Sequence, residues 1–256
     1  MRNVTIVLAL LAIACPAMPA GAHWQPGDPY KQLNPPQLPD PNGWDVDITH
    51  NWIADDWQCG GTGYVDDIHF WYSWKDDTVG EVDKVMARIW SDVPAGYDPN
   101  LEITWSHPGE LLWQGTFEID PAAQVVSCPP SPQGWYDPET ETILPAPNHY
   151  QYFQINITDI QDPFYQYEGT IYWLELHIIP VTPEIGDTPV AGWKTSDMHW
   201  NDDAVYAEGG IIPWVHLYEP PLFQQSMDMA FVITPEPATM TLLAIGAAVL
   251  LRRRIR

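Results

Sequence analysis

Positive charge is scarce in this chain: ten lysines and arginines face 34 aspartates and glutamates over 256 residues. A surface of that balance repels phosphate backbones and anionic head groups, which excludes nucleic-acid binding. Cysteine is sparser still, with three residues, and no Cys-x-x-Cys or Cys/His zinc spacing exists among them. The chain lacks a Gly-x-Ser-x-Gly elbow, a His-Glu-x-x-His pair and a phosphate-cradling Gly-rich loop. Between the two termini no segment reads as three clean helical turns, and 27 prolines and 17 glycines punctuate the chain. Long hydrophobic runs are confined to the ends.

Those ends carry an address. Arg2, an apolar core from Val4 to Ala14 and the small residues Ala20-Gly21-Ala22 have the order of a secretory signal peptide over residues 1–22, so the mature chain is expected to begin at His23. A lipoprotein reading through Cys15 is the alternative; Ala12 stands where such signals usually carry leucine. At the other end come Pro235-Glu236-Pro237, an apolar stretch from Ala238 to Leu251, and Arg252, Arg253, Arg254 and Arg256. As a helix that stretch would span roughly 21 Å, short of a hydrocarbon core of about 30 Å. The arginines would hold its end on the cytoplasmic side.

Residues 234–256 resemble the PEP-CTERM sorting segments of bacteria, on the strength of Pro235, Glu236, Pro237, the transmembrane stretch and the Arg252–Arg254 cluster in that order. The resemblance implies an exosortase-type peptidase as partner, transient membrane anchoring through a C-terminal transmembrane sorting helix, and an exported body at the cell surface or in an extracellular matrix. The alternative is a permanent C-terminal anchor, which also places the body outside.

Without Arg2, the four C-terminal arginines and Glu236, the body keeps 33 acidic and five basic side chains, a net charge of −28. Cations, calcium above all, and neutral polymers remain as partners. Outside the cytoplasm Cys59 and Cys128 are expected to form a disulfide, with two free thiols as the alternative. Residues 23–43 are proline-punctuated and read as an extended strap. Residues 44–233 form one Trp-rich domain. In it Ile68, Phe70, Tyr72 and Trp74 alternate with His69, Trp71 and Ser73, and Val85, Ala87 and Ile89 with Lys84, Met86, Arg88 and Trp90, as strands do. Further strands are expected at Leu111–Phe117, Tyr150–Thr158, Thr170–Ile179, Trp214–Tyr218 and Met227–Ile233, separated by turns such as Pro94-Ala95-Gly96, His107-Pro108-Gly109 and Pro129-Pro130. The fold class is all-β: a β-sandwich, jelly-roll-like, flanked by the signal peptide and the sorting helix.

Two compositional features suggest sites. Of 14 tryptophans, Trp57, Trp74, Trp90 and Trp173 sit in or beside apolar runs and are expected in the core. Trp71, opposite the apolar face of its strand, and Trp200, in a polar segment, are the expected sugar-stacking platform. Paired aspartates, read as lying on loops, offer oxygen ligands for calcium, chiefly Asp55, Asp56, Asp202 and Asp203, each pair beside an aromatic; a solvated acidic surface is the plainer reading. Two carboxyls suffice for glycoside hydrolysis, but with so many acids their abundance selects no pair, and no catalytic residue is assigned. The segments Ala54–Trp57, Asp67–Trp71, His107–Leu111, Gly134–Tyr136 and His199–Asp203 resemble Trp-rich domains of unassigned function in exosortase-type secreted proteins. The expectation is an exported, non-catalytic surface or matrix protein that binds extracellular polysaccharide. A purely structural surface protein and a glycan-degrading enzyme are the rivals.

Overall fold

The computed structural model describes residues 24–96, 104–119, 125–126, 130–207 and 213–235. The expected signal peptide, Cys128, Glu236, Pro237 and the Arg252–Arg254 cluster lie outside them. The strands, in chain order, are β1 (Trp44–Asp47), β2 (Trp52–Gln58), β3 (Gly63–Val65), β4 (Asp67–Trp74), β5 (Val82–Val93), β6 (His107–Glu118), β7 (Val125–Val126), β8 (Gln133–Asp137) and β9 (Thr142–His149). After them come β10 (Tyr152–Ile157), β11 (Phe164–Gln166), β12 (Ile171–Pro180), β13 (Ala191–Ser196), β14 (Val205–Ala207), β15 (Val215–His216), β16 (Asp228–Met229) and β17 (Phe231–Thr234). A nine-stranded sheet runs β7-β10-β4-β13-β1-β8-β9, with β16 beside β13 and β17 beside β4. A six-stranded sheet runs β15-β14-β2-β12-β5-β6, and β3 with β11 forms a separate ribbon. Pairing is antiparallel except between β1 and β8. The all-β expectation holds, as a sandwich of packed sheets.

The alternation in β4 sets the core. Ile68, Phe70, Tyr72 and Trp74 join one buried cluster with Ile53 and Trp57 of β2, Val85, Ala87 and Ile89 of β5, and Leu174, Leu176 and Ile178 of β12. Trp57 of the six-stranded sheet meets Phe231 of the nine-stranded sheet edge-on at 6.2 Å, and Phe231 meets Trp193 at 6.1 Å. Such edge-to-face pairs add roughly 0.5–1.5 kcal/mol each to the burial term.

The proline-rich strap binds both sheets. Lys31 N donates to Ile233 O at 2.7 Å, on the nine-stranded side, while Leu33 N donates to Gln58 O at 2.7 Å and Gly60 N to Lys31 O at 2.6 Å, on the six-stranded side. Further along, Gln37 bridges Phe231 and Asp40 N donates to Thr195 O at 2.9 Å. Six prolines remove donors from residues 23–43, and three of the N–H groups that remain, those of Lys31, Leu33 and Asp40, reach carbonyls of the two sheets. Gly60 is needed at the crossing because a Cβ there would stand 2.9 Å from backbone atoms of Gln32 and Leu33.

Three expectations change. His107-Pro108-Gly109 opens β6 rather than forming a turn: Pro108 sits on an edge strand opposite Asp92, where a missing N–H is tolerated. Asp55 and Asp56 lie in a central strand, not a loop. Trp71 is 8% exposed, not a surface platform. Its face of β4 is covered by the strap and the C-terminal strands, through Trp24, Leu38, Ala230 and Val232, with Tyr152 alongside. Trp24 meets Trp71 edge-on at 6.2 Å and is itself held by Asn156 and Gln154. Replacing Trp71 by Ala is therefore expected to cost about 3–5 kcal/mol in urea unfolding, the cost of emptying a buried aromatic site.

Candidate functional site

The expected calcium ligands are not gathered together. Strand alternation sends Asp55 and Asp56 to opposite faces of β2. Asp55 Oδ2 accepts from Gln37 Nε2 of the strap at 2.8 Å and from Met229 N of β16 at 2.6 Å, so this carboxyl ties strap, β2 and β16 together. Asp228, fully buried beside it, accepts from Trp200 N at 2.7 Å and contacts His199 Nδ1 at 3.4 Å. On the other face Asp56 accepts from Asn201 Nδ2, and its Oδ1 is buried without a partner. Asp202 accepts from Ser106, and Asp203 from Ser226. No group of three or more His, Cys, Asp or Glu side chains among the described residues is arranged to hold a metal ion.

Other paired aspartates act as anchors for loop backbone. Asp77 accepts from Tyr150 N and Gln151 N, and Asp67 from Asp159 N. These long-range carboxylate bonds hold a distant stretch of backbone in place without any ligand.

The outward face of the six-stranded sheet carries a second, closed cluster. Trp173 Nε1 donates to Asp92 Oδ1 at 2.9 Å, and Trp90 Nε1 donates to Glu175. Arg88 reaches Glu175 at 3.1 Å and lies over the Trp52 ring at 3.9 Å, while Trp52 stacks on His177 at 4.6 Å. Burial pushes Glu175 up to about 7 despite Arg88 and the Trp90 hydrogen bond, which act the other way. Trp90, Trp105, Trp173 and Trp214 pack together here, and Trp90 and Trp173 satisfy their indole N–H groups internally.

Exposed aromatic surface is supplied by tyrosine instead. Tyr64 of β3 is the cross-strand partner of Tyr165 of β11. Their rings meet edge-on at 4.9 Å, and Tyr165 meets Tyr167 at 5.3 Å. The three are 43%, 42% and 62% exposed. Beside this ribbon runs a groove of about 540 Å³ between strap residues Gly27–Gln32 and the loop Gly60–Thr62, with Pro235 at its edge. Lys31 Nζ donates to Tyr64 O at 2.7 Å and Glu168 N to Thr62 Oγ1 at 3.0 Å, joining groove to ribbon. The half-buried Trp200 belongs to the loop over Asp228 and not to this surface. Attention to tryptophan hid the tyrosines. The signal available was the alternation of Tyr165 and Tyr167 around the buried Gln166. Cys59 is a buried free thiol whose Sγ faces Gly61 O at 3.2 Å.

Burial pushes Asp55 and Asp56 well above the ordinary carboxylate range, with Asp228 adding its charge to both, and raises Asp228 too. Unfolded, these groups ionise at ordinary values, so the folded state holds more protons and loses stability as pH rises from about 4. For Glu175 the window runs from 4.5 to about 7, and the loss is on the order of 3 kcal/mol. Urea unfolding should therefore show higher stability near pH 5 than near pH 8. Glu175→Gln should shrink that difference. Chelation should leave the unfolding midpoint unchanged.

A family model described as "Domain of unknown function (DUF7901)" matches residues 33–234, and the PEP-CTERM protein-sorting motif matches residues 234–255. No curated protein and no solved structure matches the chain. The sorting motif is that of an exported protein anchored in the membrane until an exosortase processes it. With most of its length covered, and with the motif following directly on the last strand, the chain belongs to the DUF7901 family as a PEP-CTERM protein.

Proposed function

We propose that this chain is a cell-surface or extracellular-matrix protein that binds a neutral extracellular polysaccharide, without turning it over, along the Tyr64–Tyr165–Tyr167 strip and the adjoining groove. The observation that carries the reading is a strip of three solvent-facing tyrosines, Tyr64 and Tyr165 on one side of a ribbon whose other side is packed and Tyr167 just past its end. Exposed rings with hydroxyl tips offer apolar faces to sugar rings and hydrogen bonds to their hydroxyls. Charge selects the polymer: a body at −28 favours a neutral chain over an anionic one.

Binding is favoured over hydrolysis because the carboxyls that burial pushes furthest up are closed off from solvent: Glu175 is 1% exposed and held by Arg88 and Trp90, and Asp55 and Asp56 are fully buried. The rival, a structural surface protein without a ligand, draws on the burial of Trp71 and the internal bonding of Trp90 and Trp173. Affinity electrophoresis through gels holding neutral and anionic matrix polysaccharides separates the readings. Retardation is expected in a neutral gel, and Tyr165→Ala with Tyr167→Ala should weaken it by about fivefold per ring, at roughly 1 kcal/mol for each ring. Trp71→Ala, where folded, should retain it. Unchanged mobility in every gel favours the structural protein, and clearing of the polymer favours an enzyme.

A further inference from the structure

Lys194 is one of five basic side chains in the body and is fully buried. Its strand, β13, pairs with β1 so that Lys194 stands directly opposite Asp45. Lys194 Nζ lies 3.1 Å from Asp45 Oδ2, and the same oxygen lies 2.9 Å from His149 Nε2. All three side chains are 0% exposed. His149 comes from the end of β9 and reaches Asp45 past Trp135, whose ring it meets edge-on at 6.2 Å. Its Nδ1 is turned to Asn148 Oδ1 at 3.0 Å. The second oxygen of Asp45, Oδ1, is buried with no partner.

A cation, a carboxylate and an imidazole closed off together are expensive to keep as separate charges, because water no longer solvates them. Fixed contact also supplies what an uncatalysed condensation between an amine and an acid lacks in solution, namely proximity and orientation. We propose that Lys194 and Asp45 condense to an intramolecular amide, with His149 as the proton-transfer group, so that β1 and β13 become covalently joined.

The step balances without oxidant or co-reactant. A proton passes from Nζ to Oδ2, leaving a neutral amine and a neutral acid. The nitrogen lone pair forms a bond to Cγ. The C–Oδ2 bond then breaks, and Oδ2 leaves as water carrying the acid proton and one proton shed by the nitrogen. His149 Nε2, already in contact with Oδ2, accepts and returns a proton there, and ends unchanged. Oδ1 becomes the amide oxygen. Burial lowers the Lys194 pKa, while Asp45 beside it acts the other way, so desolvation favours the amine that must attack. Trp44 O, 3.4 Å from Nζ, helps aim it. The bond would close a loop between residues 149 positions apart in sequence, a large constraint on the unfolded chain.

The test is mass spectrometry of the folded, purified full chain after denaturation and chymotryptic digestion. The expected result is a branched peptide containing both Asp45 and Lys194, lighter than the sum of its parts by one water, with the two separate peptides depleted. His149→Gln should restore the separate peptides at least tenfold while the far-ultraviolet spectrum stays that of the folded protein. If the wild-type chain gives the two separate peptides at full mass, the group is an ion pair only and the proposal is overturned. A branched peptide that persists undiminished in His149→Gln would overturn the role given to His149.

Discussion

A proline-punctuated segment that bonds to both sheets holds them against each other. The strap contributes Lys31, Leu33 and Asp40 as donors, spends them on carbonyls of Ile233, Gln58 and Thr195, and thereby bonds to both sheets along one side of the sandwich. Its side chains then cover what the backbone has aligned. Trp24 and Leu38 close over Trp71, and Gln37 is threaded to Asp55. The last strand, β17, is held between β4 and this strap, so the segment that leads into Pro235 is part of the core. Processing beyond that proline would leave every strand of the sandwich in place.

The acidic character of the chain has a similar internal logic. Outside, the aspartates accept from loop N–H groups, as Asp77 does from Tyr150 and Gln151. Inside, Asp55 and Asp228 join strap, β2 and the C-terminal strands at the cost of burying carboxyls that resist ionisation there. The few cations are placed with equal economy: Arg88 is spent on Glu175, and Lys194 on Asp45. Lys194 and Asp45 register in neighbouring strands, which makes their pairing a consequence of the sheet and not of a flexible loop.

Much of the fold was legible in residue order. The alternation from Ile68 to Trp74 gave β4 and its inner face, and the order of Pro235-Glu236-Pro237, apolar stretch and arginines gave the sorting motif that the family model matches. What failed to read through was anything that depends on a second segment arriving. Trp71 looked outward because one strand shows two faces and cannot show that a strap covers the second. Asp55 and Asp56 looked like a loop pair because charged residues are rare in central strands; only the arrival of Gln37, Met229 and Asn201 makes them tolerable. The tyrosine strip was missed because its ribbon joins residues about a hundred positions apart, Tyr64 and Tyr165. The Asp45–His149–Lys194 group is invisible for the same reason, with its members on three strands.

Native-state hydrogen exchange tests the central role of the strap most directly. If the strap clasps both sheets as a structural element, the amides of Lys31, Leu33 and Gly60 exchange as slowly as those of β4 and β12, through the same global opening. Rapid exchange at those three amides beside a protected β4 would contradict it, and the sandwich would then have to stand without its clasp.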